Sequence, residues 1–469
     1  MSKKSELVRN TLIIGAGRIL PQAVAFLLIP LYTAFLSPQD FGVVDLVVGL
    51  SALVVPLVTL QLEFSVFRYL IDSRLDVMKT GRVISSGLAI LILLTGSLAI
   101  LYLLIGQIVE IPYFYIIILS ILATVFANFF SQVSRGLGKN LVYAQGSIIT
   151  ACVTILANIL LIVILKLGAD GMLLAIAVGS ITGSVFFYFK LGLKRYVKKA
   201  YMQIDMSKEL LKYSLPLVPG GISWWAIGTA DRFLIALILG VSSNGIYAVA
   251  YKFPLILNSF FAIFNMSWTE SAALHINSKD KNKFFSDVFN LTIKLFGSLA
   301  ILIVAFVPLV FGILVNSEFQ EAYLYIPIMI LGAFMSSMLS LYTSIYFAKK
   351  MTKDILSTVI IAAVFSITLN ALLMPKIGLY AAAISTTIAF GGMMVYRHFR
   401  LKKYVDITYS KRSIALLIIL FVFSSLLYYL NNSMGNYLNV VVVLGVILMF
   451  NRSTLGSVKS RLRTKVQRL

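Results

Sequence analysis

Charge is scarce in this chain: Asp, Glu, Lys and Arg make up only 12% of its 469 residues. A soluble globule of this length needs a far more polar exterior, so a water-soluble enzyme or binding domain is excluded. Cysteine is scarcer still. The single Cys152, set in an apolar run, rules out a disulfide framework or a thiolate metal cluster, and two histidines, His275 and His398, are too few for an all-histidine metal site. Long polar loops with paired carboxylates, a phosphate-cradling glycine loop and a nucleophile motif are also missing, which argues against an enzyme. What the chain has instead is apolar sequence. At 59% hydrophobic residues and a mean hydropathy of +0.94, it reads as an all-α integral membrane protein that crosses the bilayer many times.

A crossing takes about 20 apolar residues. By that measure spans fall near 10–36, 41–67, 83–106, 112–134, 142–165 and 170–189, then 213–240, 245–273, 285–314, 322–347, 355–374, 378–396, 413–430 and 437–451. That makes fourteen. The opening MSKKSELVRN is basic, and the apolar stretch behind it is long and lacks a small-residue cleavage site, so it reads as an uncleaved first span.

The +22 net charge follows the loops. Of 40 lysines and arginines, 34 lie at the N-terminus, at the C-terminus or in alternate connections, while the opposite loops hold only Lys166 and Lys376. The positive-inside rule puts that side, with both termini, in the cytoplasm. The basic excess is then topology, and no nucleic-acid partner is expected.

The chain also repeats. PQDFGVVDLVV at 38–48 answers SSNGIYAVAYK at 242–252, with Gly42 and Gly245 203 residues apart, and KLGADG at 166–171 answers KIGLYA at 376–381. Six spans per repeat give both halves one orientation. Three segments result: a six-helix lobe at 1–200, a second at 201–403, and an extra helix pair with a basic tail at 404–469. In each lobe the first span is interrupted, by Gly15, Gly17 and Pro21 in one and by Pro216, Pro219, Gly220 and Gly221 in the other. Matched breaks of this kind point to a central transport site, although prolines also kink membrane helices without functional consequence.

Charges within spans are costly and need partners. There are four bases, Arg18, Arg232, Lys252 and Lys294, and four acids, Asp45, Glu63, Asp231 and Glu270. Asp231 and Arg232 are helix neighbours that point about 100° apart, so each needs a partner on another helix; Arg18 or Lys252 is expected for Asp231. Glu63 and Glu270 are either structural partners of arginines or ion-coupling groups. Trp224, Trp225 and Trp268 read as packing or interface anchors, and Asp45 and Tyr32 receive no role.

The opening NTLIIGAGRILPQAVAFLLIPLYTAFLSPQDFGVVDLVVGL resembles polysaccharide-repeat flippases of the Wzx type in the MOP superfamily. TADRFLIALILGVSSNGIYAVAYKF and SWTES are similar to the second half of the same family. The resemblance implies a V-shaped, MATE/MOP-like pair of six-helix lobes plus the extra pair. It further implies alternating-access export of an undecaprenyl-diphosphate-linked oligosaccharide across the cytoplasmic membrane of a bacterium or archaeon, driven by H+, Na+ or the membrane potential. No bound cofactor or metal is called for. A polysaccharide polymerase and assembly proteins would be its protein partners. In that setting Arg18, Lys252, Lys294 and Arg232 are the candidate substrate-binding cations, with Arg18 foremost, because guanidinium offers a diphosphate bidentate hydrogen bonds. Snorkelling to the membrane edge is the alternative for these side chains. Asp231, Glu63 and Glu270 are the candidate coupling or charge-pairing acids. A drug or metabolite antiporter and a lipid II flippase are the competing readings within the superfamily, and the extra helix pair weighs against the antiporter.

Overall fold

A computed structural model describes residues 26–110, 112–349 and 351–452, and every regular element among them is helical. Helices close their backbone hydrogen bonds internally, as a lipid-embedded chain requires. In order they are α1 (Ile29–Phe35), α2 (Pro38–Val58), α3 (Leu62–Ser73), α4 (Val77–Gly106), α5 (Phe114–Gly136), α6 (Asn140–Asn158), α7 (Gly168–Leu191), α8 (Ile204–Ser214), α9 (Val218–Ile238) and α10 (Val241–His275). There follow α11 (Lys281–Leu314), α12 (Ile326–Ala348), α13 (Thr352–Ile377), α14 (Tyr380–Leu401), α15 (Lys411–Leu430) and α16 (Ser433–Phe450).

Twelve helical stretches among the described residues are long and apolar enough to cross a membrane. Two of the fourteen expected spans are not in that set. The first lies outside the described residues except for its last turns. The twelfth is α14, which is made less apolar by Ser385, Thr386, Thr387, Gly391 and Gly392 and by a basic last turn. The last span is longer than the sequence pattern indicates: α16 starts at Ser433, and its 18 residues extend about 27 Å at 1.5 Å per residue.

By packing, the chain forms two compact units, one ending at Ala248 and the other beginning at Val249. This differs from the repeat boundary near residue 200, because α9 lies against α2 and so belongs with the first unit. Small residues set the close contacts of that unit. A Cβ added at Gly179 or Gly183 would lie 2.0 Å from a threonine hydroxyl of α6, Thr154 or Thr150 respectively, so these glycines are what let α6 and α7 touch. Leu62, Val66 and Leu70 share one face of α3 and are fully buried, with Val66 against Gly87 of α4 and Leu70 against Gly136 of α5. The connection after α7 is fastened to α4 by Ser85, whose hydroxyl donates to the Tyr196 carbonyl at 2.7 Å and accepts from the Lys198 amide at 3.1 Å.

In the second unit α12, α13 and α14 pack together, and α15 and α16 lie on α11. Arg397 of α14 is completely buried and clamps its neighbours. It donates to the hydroxyls of Thr343 in α12 (2.6 Å) and Thr358 in α13 (2.7 Å), and its guanidinium sits over the Tyr346 ring. The helix pair is held by two tyrosines: Tyr323 and Tyr428 stack with centroids 4.1 Å apart, and the hydroxyl of each donates to the backbone carbonyl of the other.

Candidate functional site

Three features of the described structure bear on function. The first begins at Ser37, where a capping box starts α2: the Ser37 hydroxyl accepts from the Asp40 amide at 3.1 Å, the Asp40 carboxylate accepts from the Ser37 amide at 3.4 Å, and Pro38 occupies the first turn. Helical spacing then puts Gly42, Asp45 and Gly49 on one face. That face meets α9 and the start of α10. The Asp45 carboxylate takes an ion pair from Arg232, with both side chains largely buried, and its other oxygen accepts from the Asn244 amide at 3.3 Å. Asp231 accepts from the Tyr247 hydroxyl at 2.7 Å and from the Arg232 backbone amide at 2.9 Å. Arg232 therefore meets both acids, Asp45 through its guanidinium and Asp231 through its backbone amide, in a hydrogen-bonded group joining α2, α9 and α10. Trp225 adds a bond to the Gly49 carbonyl at 2.8 Å.

Among the described residues the hydrogen-bond partner that Asp231 finds on another helix is Tyr247, while Arg18, one of its two expected partners, lies outside them. Arg232 does bridge to another helix, but its acid is Asp45, a residue to which the sequence pattern gave no role. A phenol satisfies a carboxylate without adding charge, and hydropathy patterns carry no sign of such a bond.

The second feature is a break between α2 and α3. Leu60 (φ 51°) and Gln61 (φ 58°) are both left-handed, a region that residues with a Cβ seldom enter. Gln61 presses on Gly221, where an added Cβ would lie 2.1 Å from its side-chain nitrogen. Gly221 stands just beyond the 3₁₀ turn Leu215–Leu217 that separates α8 from α9, so the interruption foreseen at Pro216 to Gly221 is present. Glu63 follows the α2–α3 break and is buried.

The third is a cavity of about 680 Å³ in the second unit. Its walls come from α11, α12, α14 and α15, including Ile301, Leu331, Met335, Leu417 and Phe421, and the only polar side chains on them are Tyr342, His398 and Tyr409. These three are gathered together: the Tyr342 and Tyr409 hydroxyls hydrogen-bond, and Tyr409 lies 3.3 Å from the His398 Nδ1. The size lies within the range of small-molecule sites, about 300–1,000 Å³.

With this geometry in hand, the comparisons discriminate among membrane folds. A family model described as "Polysaccharide biosynthesis protein" matches residues 7–269. The chain belongs to that family. No curated protein sequence matches it. Among solved structures it is similar to the lipid II flippase MurJ in an inward closed conformation, with TM-score 0.71 and 16% identity over 95% of this chain and 100% of that one. An inward-facing multidrug resistance MATE family transporter of the MOP superfamily gives TM-score 0.65 and 13% identity over 82% of this chain and 95% of that one. An outward-facing MATE structure gives 0.55 and 14% over 85% and 95%. This member of the polysaccharide biosynthesis family is thus a multi-pass membrane protein with the MATE and MurJ fold.

Within it the predicted site residues are dispersed. Arg18 lies outside the described residues. Lys252 is on α10 in the second unit, and Glu270 is exposed near the end of the same helix. Lys294 of α11 places its ammonium 4.4 Å from the centroid of the Phe450 ring of α16, so it is spent on holding the helix pair. Of the tryptophans, Trp268 donates to the Leu341 carbonyl at 3.2 Å, Trp225 to Gly49, and Trp224 is exposed. No group of three or more His, Cys, Asp or Glu side chains suited to a metal occurs among the described residues.

Proposed function

We propose that the chain translocates an undecaprenyl-diphosphate-linked oligosaccharide from the inner to the outer leaflet of the cytoplasmic membrane. The observation that carries this reading is the cavity of about 680 Å³, whose exposed lining is almost wholly apolar because the hydroxyls of Tyr342 and Tyr409 are paired with each other. The hydrocarbon tail of an amphiphile matches such a lining; a charged drug or a sugar nucleotide does not. Membership of the polysaccharide biosynthesis family supports a saccharide-bearing head group. Fourteen spans with cytoplasmic termini would expose the basic loops to the side where the lipid-linked unit is made. Arg18 is the cation we assign to the diphosphate, with Lys252 second, because Arg232 is committed to Asp45 and Lys294 to Phe450.

Deletion of the gene tests the proposal. Undecaprenyl-linked repeat units should accumulate on the inner leaflet and surface polysaccharide should disappear. Unchanged lipid-linked pools combined with sensitivity to cationic drugs would favour the antiporter instead, and accumulation of lipid II would favour the peptidoglycan precursor.

A further inference from the structure

We infer that the connection from α7 to α8 is a docking surface for the head groups of anionic phospholipids. Residues 190–212 hold seven lysines and arginines against two acids. The positive-inside rule accounts for the side on which these charges lie, but not for their arrangement. The connection is pinned to α4. Besides the bonds of Ser85 to Tyr196 and Lys198, the Ser86 hydroxyl accepts from the Gln203 amide at 3.0 Å and donates to the Gln203 carbonyl at 3.3 Å. Tyr201 lies against Gly81, where an added Cβ would be 2.4 Å from its ring. Lys194, Arg195, Lys198 and Lys199 are thereby carried, exposed, on a backbone that is held in place.

Like charges are gathered here. The Arg195 guanidinium sits 4.5 Å from the centroid of the Tyr196 ring, and the Lys198 ammonium 5.4 Å from that of Tyr201. Lys139, partly buried in the connection between α5 and α6, is held below the usual lysine range by burial and then by the charge of Arg195, so cations from two loops converge. None of these side chains forms an ion pair among the described residues, and the one acid of the chain outside them is Glu6. Cations gathered in this way repel one another, and an anion lying across them removes the repulsion. The neighbouring apolar side chains make that anion a lipid's. Phe189, at one end of the connection, is 74% exposed, and Met202 and Ile204, at the other, are 44% and 75% exposed. A phosphate in solution makes no use of them, whereas a phospholipid sets its phosphate against the basic side chains and its acyl chains against the apolar ones.

Purified full-length protein in detergent, titrated with phosphatidylglycerol, phosphatidylcholine or inorganic phosphate, tests the surface through its thermal midpoint and the lipid it retains in native mass spectrometry. Phosphatidylglycerol should raise the midpoint saturably and be retained; phosphatidylcholine and phosphate should do neither. Lys194→Gln, Arg195→Gln, Lys198→Gln and Lys199→Gln combined should raise the half-saturating phosphatidylglycerol concentration by about tenfold or more. Lys279→Gln, Lys281→Gln and Lys283→Gln combined, at the entry to α11, should leave it nearly unchanged. Ser85→Ala with Ser86→Ala keeps every charge but unpins the connection; it should weaken retention several-fold, and it decides the matter if the neutralised variant fails to insert. Equal losses from the two sets of neutralisations would reduce the effect to net charge and overturn the surface, as would an equal response to phosphatidylcholine or undiminished retention in the variants. A response that inorganic phosphate reproduces would leave an anion site without a lipid, and the docking surface would fall. No lipid-linked saccharide enters these measurements, so they leave the proposed transport untouched.

Discussion

Gly42 and Gly245 occupy equivalent places in the two repeats and meet each other backbone to backbone. A Cβ on Gly42 would lie 2.1 Å from the Val241 carbonyl oxygen, and one on Gly245 would lie 2.0 Å from the Pro38 carbonyl oxygen. Pro38 and Val241 are themselves 203 residues apart, as are Gln39 and Ser242, whose side chains hydrogen-bond at 2.9 Å. The contact is therefore isologous, the same surface used by both partners around a local two-fold axis.

Gly42→Ala and Gly245→Ala should each destabilise the protein by about 1–3 kcal/mol, because the obstructing atoms are backbone and cannot rotate away. Gly228 of α9 has nothing within 4 Å of the same position. Gly228→Ala should be neutral or stabilising, by up to about 1 kcal/mol. Thermal unfolding of the purified variants checks the contrast, and equal midpoints for all three would refute the tight joint.

Arg232→Ala should cost about 3–5 kcal/mol, since it leaves Asp45 buried without its ion-pair partner. Pairing Arg232→Gln with Asp45→Asn should recover a large part of the loss. A double-mutant cycle read by unfolding gives the coupling energy, and additive effects would mean that the pair is incidental.

Filling the cavity should stop transport without unfolding the chain. Leu417→Trp and Met338→Trp project added volume into an apolar space, so surface polysaccharide should fall sharply while membrane abundance stays near normal. Full export in both variants would remove the cavity from the lipid's path.

Arg18→Lys should retain partial export and Arg18→Ala little or none, at unchanged protein levels, because an ammonium cannot reproduce bidentate contacts to a diphosphate. Near-normal polysaccharide from Arg18→Ala would return Arg18 to the membrane edge.

Reporter tags after residues 208, 281, 404 and 465 should all report cytoplasm, and one after 318 the opposite side. An external report at 465 alone would mean that α16 does not cross.

Much of the fold was legible because it rests on local signals. Apolar runs placed the helices, and the proline and glycine cluster at 216–221 marked the interruption before α9. The break at Leu60–Gln61 carries no such mark. Neither residue favours a left-handed backbone, and only tertiary packing around Gln61 holds it there. Partner choice was equally hidden. That Arg232 takes Asp45, and that Asp231 takes a tyrosine, depends on which helix faces which, a matter on which hydropathy is silent. Arg397 lies one residue past the expected end of its span, so it was counted as a loop charge, yet it is the largest fully buried side chain described. The cavity had no sequence signal at all, because it is a gap between helices.

Leu417, Ile418, Phe421 and Val422 of α15 form one wall of that cavity, and the same helix is riveted in place through Tyr428 and Tyr323. The terminal helix pair is therefore no removable appendage. A chain cut back to twelve spans would lose that wall, and the cavity would lie open along α11 and α12. On the proposed function, the width of the lipid's path is set by the part of the sequence that a minimal transporter would discard.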